Sequence, residues 1–411
     1  MKILMFGWEF PPHNSGGLGT ACYGLTKGLN HHGAKVTFVL PVSQPSMKSD
    51  FVKLISADVS RGIEKIGINS PIKGYMTSKE YYSEYSKEVL GYGEKRRSPL
   101  YGRDLFEEVR RYAAKAKLIA EDEEFDVIHA HDWMTYQAGI NAKKGSGKPF
   151  VIHVHATEFD RTGNNPNQYV YDIEKHGMQE ADKILAVSNF TKDKIIKHYG
   201  ISPDKIHVVH NAVEFNSNNF QQESFKIKEK DKVVLFLGRI TIQKGPDYFL
   251  YAAKKALELD PNIKFIVAGS GDMEQFMIEK AAEFGIADKV LFSGFLRGKD
   301  IDKAYQIADL YIMPSVSEPF GITPLESMRN NTPVLISKQS GVSEVVNHCL
   351  KVDFWDIDEI VNKMLGVLKY RELSEELKHH GSLEVKKFSW NNPAERCMEV
   401  YRKLMEGPKN G

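Results

Sequence analysis

Cysteine is scarce in this chain. The 411 residues include three cysteines, at the scattered positions Cys22, Cys349 and Cys397. An odd and widely spaced set excludes a disulfide framework and a cysteine-rich metal site. We therefore expect a reducing compartment, the cytoplasm.

A surplus of one charge is also missing. Lysine and arginine number 55 and aspartate and glutamate 54, which gives a formal net charge of +1. Proteins that bind nucleic acid regardless of its sequence need a basic excess. The charge balance argues against that class.

Long hydrophobic runs are absent as well. The apolar stretch within residues 1–12, MKILMFGWEFPP, is interrupted by an acid and ends in two prolines. It is too short for a signal peptide and far too short for a membrane span, so we expect neither. With 42% hydrophobic and 27% charged residues, the composition is typical of a soluble globular protein, and 411 residues are enough for two domains.

The chain does contain a regular alternation of strand and helix patterns. An apolar run, KILMF, is followed by a loop rich in glycine and proline and then by apolar residues at helical spacing. The alternation predicts one domain over residues 1–213 and another over 232–389, with a polar linker at 214–231 and a final helix at 390–408 that follows the motif FSW. The predicted class is α/β with parallel sheets covered by helices. The tyrosine-rich segment 75–101 has no assignment.

Two cations follow a predicted strand of the second half. Arg239 comes directly after VVLFLG, and Lys244 precedes a helix predicted to begin at Pro246. Ligands of parallel sheets bind at the carboxyl ends of strands, and two facing domains place that site in the cleft between them. A cation beside a helix N-terminus is unfavourable unless an anion binds there. The pair therefore favours a diphosphate site over two solvated surface cations.

The stretch SEPFGITPLE carries two acids, Glu318 and Glu326. Thr323 and Glu326 match a capping box, which accounts for the second acid alone. A ligand with both phosphates and hydroxyls accounts for the whole stretch, since the backbone N–H groups of Gly321, Ile322 and Thr323 would meet phosphate and the acids would meet hydroxyls.

Glycines and histidines mark the first half. Gly16 and Gly17 lie at a predicted helix start, where a phosphate could approach the backbone or a tight turn could need small residues. The pattern is not the dinucleotide fingerprint G-x-G-x-x-G. Two strands end in His-x-His pairs, which favour either a hydrolytic metal site or histidines that hydrogen-bond the backbone. These residues and their neighbours are His129, His131, Asp132, His153, His155, Glu158, Asp160 and Arg161.

The stretches GGLG, HAHDW, HVHATEF, QKG and SEPFGITPLE, with the closing FSW helix, together resemble the retaining glycosyltransferases of family 4. The nearest subgroup is the glycogen or starch synthase-like enzymes, and the resemblance runs in order over nearly the whole chain. It implies a GT-B fold: two Rossmann-like domains face each other across a cleft, the acceptor lies on the first domain and the donor mostly on the second. It also implies that the final helix returns to the first domain, and that no metal or other cofactor is needed.

The resemblance further implies roles for single residues. Arg239 and Lys244 would hold the donor diphosphate, Glu318 the hexose hydroxyls and Glu326 the ribose. His155 would lie by the transferred sugar. The other residues placed by the resemblance are Asp132 near the acceptor, Gly16 and Gly17 at the phosphates, Phe295 and Leu296 at the base, and Phe320, Gly321 and Ile322 along sugar and phosphate.

The activity implied is transfer of a hexose, with glucose expected, from UDP- or ADP-glucose to a hydroxyl acceptor such as an α-glucan. The expected partners are a nucleotide sugar and a carbohydrate or small hydroxyl compound. Asn14 departs from the lysine usual at this position in bacterial glycogen synthases, which bears on ADP-glucose and glucan as substrates. Three alternatives stay open: a metal-dependent hydrolase using the paired histidines, a non-catalytic protein that binds nucleotide sugars or glycans, and a related GT-B epimerase or phosphorylase.

Overall fold

The computed structural model describes residues 1–11, 16–42, 49–57, 105–215 and 231–406. Most of the expected linker and the whole tyrosine-rich segment lie outside these ranges, as does Asn14. In the described parts the chain builds two parallel sheets, each with its own hydrophobic core. No helix of these parts is long and apolar enough to cross a membrane.

The first sheet is built from seven parallel strands in the order β3-β2-β1-β4-β5-β6-β7. Its central strands are apolar and buried on both faces, as parallel sheets between helical layers require. The strands are β1 Lys2–Phe6, β2 Lys35–Leu40, β3 Lys53–Ser56, β4 Val127–His131, β5 Phe150–Val154, β6 Lys183–Ala186 and β7 Ile206–Val208. The helices are α1 Gly17–His31, α2 Leu105–Asp122, α3 Trp133–Ser146, α4 Glu158–Arg161, α5 Gln168–Glu180 and α6 Asn189–Lys194, which continues as a π-helical turn, Ile195–Tyr199.

The second sheet has six parallel strands in the order β10-β9-β8-β11-β12-β13. Its strands are β8 Lys232–Leu237, β9 Ile263–Ala268, β10 Val290–Gly294, β11 Leu310–Met313, β12 Val334–Ser337 and β13 Leu350–Val352. Its helices are α7 Pro246–Leu259, α8 Glu274–Glu283, α9 Lys299–Ile307, α10 Thr323–Arg329, α11 Ile357–Lys369 and α12 Arg371–Glu384. The strand order changes direction between β8 and β11, so the loops after these two strands meet at the switch point where parallel sheets bind ligands.

The last helix, α13 (Asn391–Glu406), packs against the first sheet. Trp390 lies directly on α1, where a Cβ added at Gly24 would fall 2.2 Å from the indole ring. Farther along α13, the Tyr401 hydroxyl lies 2.6 Å from Nδ1 of His129, on β4. The second half of the chain is thereby tied to the core of the first.

The parallel α/β class predicted from the sequence is confirmed. Helix α7 spans the predicted stretch PDYFLYAAKKALEL and begins at Pro246, as expected. Elements that the sequence did not predict individually include β3, α2, α3, α6, β13, α11 and α12.

Candidate active site

The loops after β8 and β11 bring Lys244 and Glu318 together. Lys244 Nζ donates a short hydrogen bond to Glu318 Oε2, and the two side chains are only 21% and 7% exposed. Ser315 Oγ contacts the same carboxylate oxygen at 3.4 Å. Adjacent strands thus deliver one cation and one acid to a single point at the carboxyl edge of the sheet.

The turn that presents Lys244 depends on the glycine that follows it. Lys244 ends a short 3-10 turn, and Gly245 has φ +61°, in the left-handed region that favours glycine. A Cβ at Gly245 would lie 2.2 Å from the carbonyl oxygen of Pro314, in the loop after β11. The close approach of the two loops therefore requires a residue without a side chain here.

Gln243 joins the two loops, and sequence reasoning missed it. Its side chain accepts a hydrogen bond from Arg239 Nη2 at 3.1 Å and donates one to the Ser317 carbonyl oxygen at 3.1 Å. Its own carbonyl oxygen accepts from the Val316 N–H at 3.0 Å. Arg239 is thereby linked to the loop that carries Glu318. The only sequence signal for Gln243 is its place in the stretch QKG.

The capping box predicted for Thr323 and Glu326 is wrong. Helix α10 begins at Thr323, and its N-cap is Ile322, which has no side-chain capping bond. The Thr323 hydroxyl instead accepts from Tyr311 at 2.8 Å, and Glu326 accepts from Tyr305 at 3.2 Å. Hydrogen bonds from these buried tyrosines, on β11 and α9, take the place of the capping bonds that the local sequence pattern predicted.

Glu326 is consequently not needed to cap its own helix. Burial raises the pKa of its carboxyl group, while Arg329 and the hydrogen bond from Tyr305 act in the opposite direction. A carboxylate whose pKa is raised by burial is a common feature of binding sites.

The other predicted donor contacts differ in their positions. Phe320 is 2% exposed and belongs to the core, and Gly321, with φ +99°, packs against Glu318 and Met313. Ile322 is partly buried and packs against the cores of both halves.

Phe295 is 46% exposed, with Arg297 over its ring at 5.3 Å, and Leu296 is partly buried beside it. These last two follow β10, two strands away from β8.

The predicted glycine-rich helix start contains an acid that sequence reasoning did not single out. Gly16 is the N-cap of α1 and Gly17 its first residue. Glu9, which is 3% exposed, accepts a hydrogen bond from the Gly19 N–H at 3.0 Å. A carboxylate therefore already lies against this helix N-terminus, which favours negative charge.

Four histidines form a stack at the ends of β4 and β5. His129 and His131 have ring centroids 4.4 Å apart, as do His153 and His155, and neighbouring rings across the strands lie 5.2–5.5 Å apart. Burial lowers the pKa of all four, and the neighbouring histidines add to this for the inner three. The inner three are buried, and His155 is the partly exposed end of the stack.

The stack has the proximity of a metal site but not its geometry. Ring nitrogens of His129, His131 and His153 lie within 4.8 Å of one another, and so do ligand atoms of Cys22, His131 and His155. A histidine binds a metal through the lone pair in its ring plane, and rings stacked with interplanar angles of 17–26° do not aim their lone pairs at one point. In the second group, His131 Nδ1 and His155 Nε2 lie 2.9 Å apart, in hydrogen-bond contact with each other.

The buried side chain of Asp132 holds the loop of His155 in place through hydrogen bonds to its backbone. It is fully buried, with φ +58°, and its Oδ1 accepts from the N–H groups of His155 at 2.7 Å and Ala156 at 3.3 Å. Its Oδ2 lies 3.5 Å from Arg161, which also binds Glu174 at 2.8 Å. Burial raises the pKa of Glu174 to about 7, against the opposing effects of Arg161 and Tyr199. The structure thus places Asp132 behind His155 rather than on an open surface.

Comparisons with known proteins agree with this architecture. The family model described as Glycosyltransferase Family 4 matches residues 15–216, and the model described as Glycosyl transferases group 1 matches residues 217–383. An uncharacterized glycosyltransferase of Methanocaldococcus jannaschii is 30% identical, with 99% of each chain covered. A glycogen synthase of Mycobacterium tuberculosis is 24% identical over 84% of this chain and 80% of its own.

Solved structures show the same fold. Sucrose-phosphate synthase from Thermosynechococcus elongatus superposes with a TM-score of 0.76, at 17% identity, over 98% of this chain and 99% of its own. HepE of Anabaena, in complex with UDP and glucose, has a TM-score of 0.71 at 16% identity, with 98% of this chain and 99% of its own covered. The resemblance read from the motifs is confirmed, and the chain belongs to glycosyltransferase family 4, with the GT-B fold.

Proposed function

We propose that this glycosyltransferase moves glucose from UDP- or ADP-glucose to a hydroxyl group of a carbohydrate, an α-glucan in the first instance, with retention of the α-configuration. The proposal rests on the contact of Lys244 with Glu318 at the switch point, where Gln243 links Arg239 to Ser317, the neighbour of Glu318. Relatives named glycogen synthase and sucrose-phosphate synthase, and the complex of HepE with UDP and glucose, support this choice of substrates.

Arg239 and Lys244 would stabilise the departing diphosphate. Charge develops on the phosphate oxygens as the bond to the sugar breaks, and fixed cations placed beside those oxygens lower the barrier. A diphosphate next to Lys244 would compete with Glu318 for the ammonium group. Glu318 would then be available to accept hydrogen bonds from the sugar hydroxyls.

The remaining donor contacts follow from the same placement. The N–H groups of Gly321, Ile322 and Thr323 would bind phosphate, and Glu326 would bind the ribose. The exposed ring of Phe295 and the Leu296 backbone would meet the base. From the first half, Gly16 and Gly17 would approach the phosphates, although Glu9 contributes negative charge at that helix start.

His155 would contact the transferred sugar as a neutral ring. Its lowered pKa keeps the imidazole uncharged near pH 7, so one ring nitrogen donates a hydrogen bond and the other accepts one. The bond of its backbone N–H to Asp132 fixes its position. Asp132 therefore acts on the sugar through His155, and we assign it a positioning role rather than a contact with the acceptor.

No side chain acts as a nucleophile in the proposed reaction. The bond from the sugar C1 to the phosphate oxygen breaks, and the bond from C1 to the acceptor oxygen forms on the same face. The leaving phosphate oxygen takes the proton of the acceptor hydroxyl. Closure of the two halves around this step would exclude water and so limit hydrolysis.

A thermal-shift screen with UDP-, ADP- and GDP-sugars tests the donor, and product analysis tests the reaction. A donor at 100 times its Kd stabilises the fold by about 2.7 kcal/mol. We expect a glucose nucleotide to give the largest shift and an α-linked product to appear with a glucan acceptor. Binding without any product would favour the non-catalytic alternative. Activity that depends on a divalent metal and hydrolyses the donor without an acceptor would favour the hydrolase.

A further inference from the structure

Side chains of the first half of the chain form hydrogen bonds with Ser317, the residue that precedes Glu318. Ser317 Oγ donates a hydrogen bond to Asp160 Oδ1 at 2.5 Å, and Lys194 Nζ lies 2.5 Å from both of these oxygen atoms. Asp160 lies on α4 and Lys194 at the end of α6, so both belong to the half that carries the histidine stack. Ser317 belongs to the loop after β11.

The same half also forms hydrogen bonds with Pro319, the residue that follows Glu318. The carbonyl oxygen of Pro319 accepts hydrogen bonds from Ser188 Oγ at 2.5 Å and from Thr191 Oγ1 at 3.3 Å. A glycine makes room for this contact, because a Cβ at Gly341 would lie 2.2 Å from that carbonyl oxygen and 2.5 Å from the Ser188 Cβ. Glu318 is therefore held on both sides by groups from the other half.

These contacts are built into the interior. Asp160, Ser188 and Thr191 are fully buried, and Ser317 is 6% exposed. The other oxygen of Asp160 accepts from the N–H group of Thr157 at 2.8 Å and from its hydroxyl at 2.7 Å, so each oxygen of this carboxylate accepts two hydrogen bonds. A buried carboxylate with four charged or polar donors holds its partners rigidly, and hydrogen bonds to charged groups are the stronger ones.

We infer that Asp160, Lys194 and Ser188 are positioning residues that aim Glu318 at the sugar of the donor. The inference rests on the proposed function, in which Glu318 binds the hexose hydroxyls. It adds that the sugar contact made by the second half, through Glu318, depends on side chains of the first half. Glu318 meets the nucleotide alone only as a competitor for Lys244, whereas it would accept hydrogen bonds directly from the sugar hydroxyls of the nucleotide sugar. We therefore expect these contacts between the halves to affect the affinity of the nucleotide sugar much more than that of the nucleotide.

A second contact between the halves provides a matched control. Glu344, in the turn after β12, accepts hydrogen bonds from the N–H groups of Asn189 at 3.0 Å and Phe190 at 2.6 Å. It binds the same helix, α6, across the same interface, but it contacts neither Ser317 nor Pro319 in the described structure. Glu344→Gln therefore weakens the contact between the halves without touching the neighbours of Glu318.

The test compares the Kd of UDP and UDP-glucose, or of ADP and ADP-glucose, by calorimetry in the wild type, Ser317→Ala, Ser188→Ala and Glu344→Gln. We expect each serine variant to bind the nucleotide sugar about 10-fold more weakly, the effect of about 1.4 kcal/mol, and to bind the nucleotide as the wild type does. We expect Glu344→Gln to leave the ratio of the two constants unchanged. The ratio is a readout that general loosening of the fold does not move, and Ser188→Ala serves if Ser317→Ala fails to fold.

Failure of the inference is distinguishable from failure of the proposed function. A wild type that prefers the nucleotide sugar, with serine variants that keep this preference, would overturn the inference alone. The inference would also be overturned if Glu344→Gln changed the ratio of the Kd values for nucleotide and nucleotide sugar as much as the serine variants do. A wild type that binds no nucleotide sugar would overturn both.

Discussion

Lys244 and Glu318, 74 residues apart in the chain, share a hydrogen-bonded ion pair at the carboxyl edge of the second sheet. The parallel order of the sheet makes this meeting possible, because β8 and β11 are neighbours although they are distant in sequence. The pair concentrates positive and negative charge at one point, which suits a ligand with phosphates and hydroxyls on adjacent atoms.

Replacing Lys244 by alanine should lower turnover by about 100-fold or more, the usual effect of removing one fixed charge-stabilising donor. Steady-state kinetics with the best donor of the thermal-shift screen measures this. Lys255→Ala is the control, since Lys255 also pairs with an acid, Asp358, but is 47% exposed on α7. Near-normal turnover of Lys244→Ala, with a folded protein, would remove the role given to this lysine.

Glu326→Gln should flatten the pH dependence of donor binding. Because burial raises the pKa of Glu326, this carboxylate gains a proton, and loses acceptor capacity, at a higher pH than an ordinary glutamate does. In the wild type, the KM for the donor should therefore begin to rise at a higher pH than for an ordinary glutamate as the pH is lowered towards 4.5. In the variant it should be higher throughout, by roughly 10-fold, and vary less with pH. Parallel profiles for the two proteins would contradict a role of Glu326 at the ribose.

The histidine stack should make the fold sensitive to acid. Unfolded histidine has a pKa near 6.5, whereas burial lowers the pKa of His129, His131 and His153 in the folded protein. The folded chain therefore binds fewer protons, and its free energy of unfolding falls as pH drops below about 6.5, by up to about 1.4 kcal/mol per pH unit for each ring.

His153→Leu tests this directly, since neither ring nitrogen of His153 has a hydrogen-bond partner among the described residues. Urea unfolding between pH 7.5 and 5 should show a smaller loss of stability in the variant than in the wild type. His379→Leu, at an exposed position on α12, should keep the wild-type slope. Equal slopes for the wild type and His153→Leu would contradict a neutral, buried stack.

Trp390→Ala should destabilise the fold by about 3–5 kcal/mol, as other buried tryptophans do. The indole is 6% exposed and packs on Gly24 of α1, so its loss leaves a cavity between α1 and α13. Trp355 is 57% exposed, and Trp355→Ala should change stability by much less. The midpoint of urea unfolding measures both, and equal effects would show that α13 contributes little to the first core.

The sequence predicted the parts of the fold in which local pattern and burial agree. Helix α7 follows a strand, begins at a proline and has apolar residues at helical spacing, so its bounds were predictable. Within the predicted domain, the stretch from 338 to 388 gave no prediction of individual helices or strands, although it contains β13 and two helices. The strand has three residues, and α12 has only two buried positions, so its pattern is weak.

The candidate site shows the same division. Arg239, Lys244 and Glu318 could be located because each follows a strand at the edge where parallel sheets bind ligands. The capping box at Thr323 failed because Tyr305 and Tyr311, brought close by folding, offered better partners. Contacts such as Gln243 with Ser317, or Asp160 with Ser317, connect distant segments through ordinary polar residues, so no local pattern announces them.

A crystal structure of the chain with UDP-glucose or ADP-glucose would show whether the donor diphosphate binds at Arg239 and Lys244. We expect the diphosphate within hydrogen-bond distance of Arg239 and Lys244, with the glucose hydroxyls on Glu318. Electron density that places the diphosphate elsewhere, with both cations turned away from it, would contradict a donor site at the switch point of the second sheet.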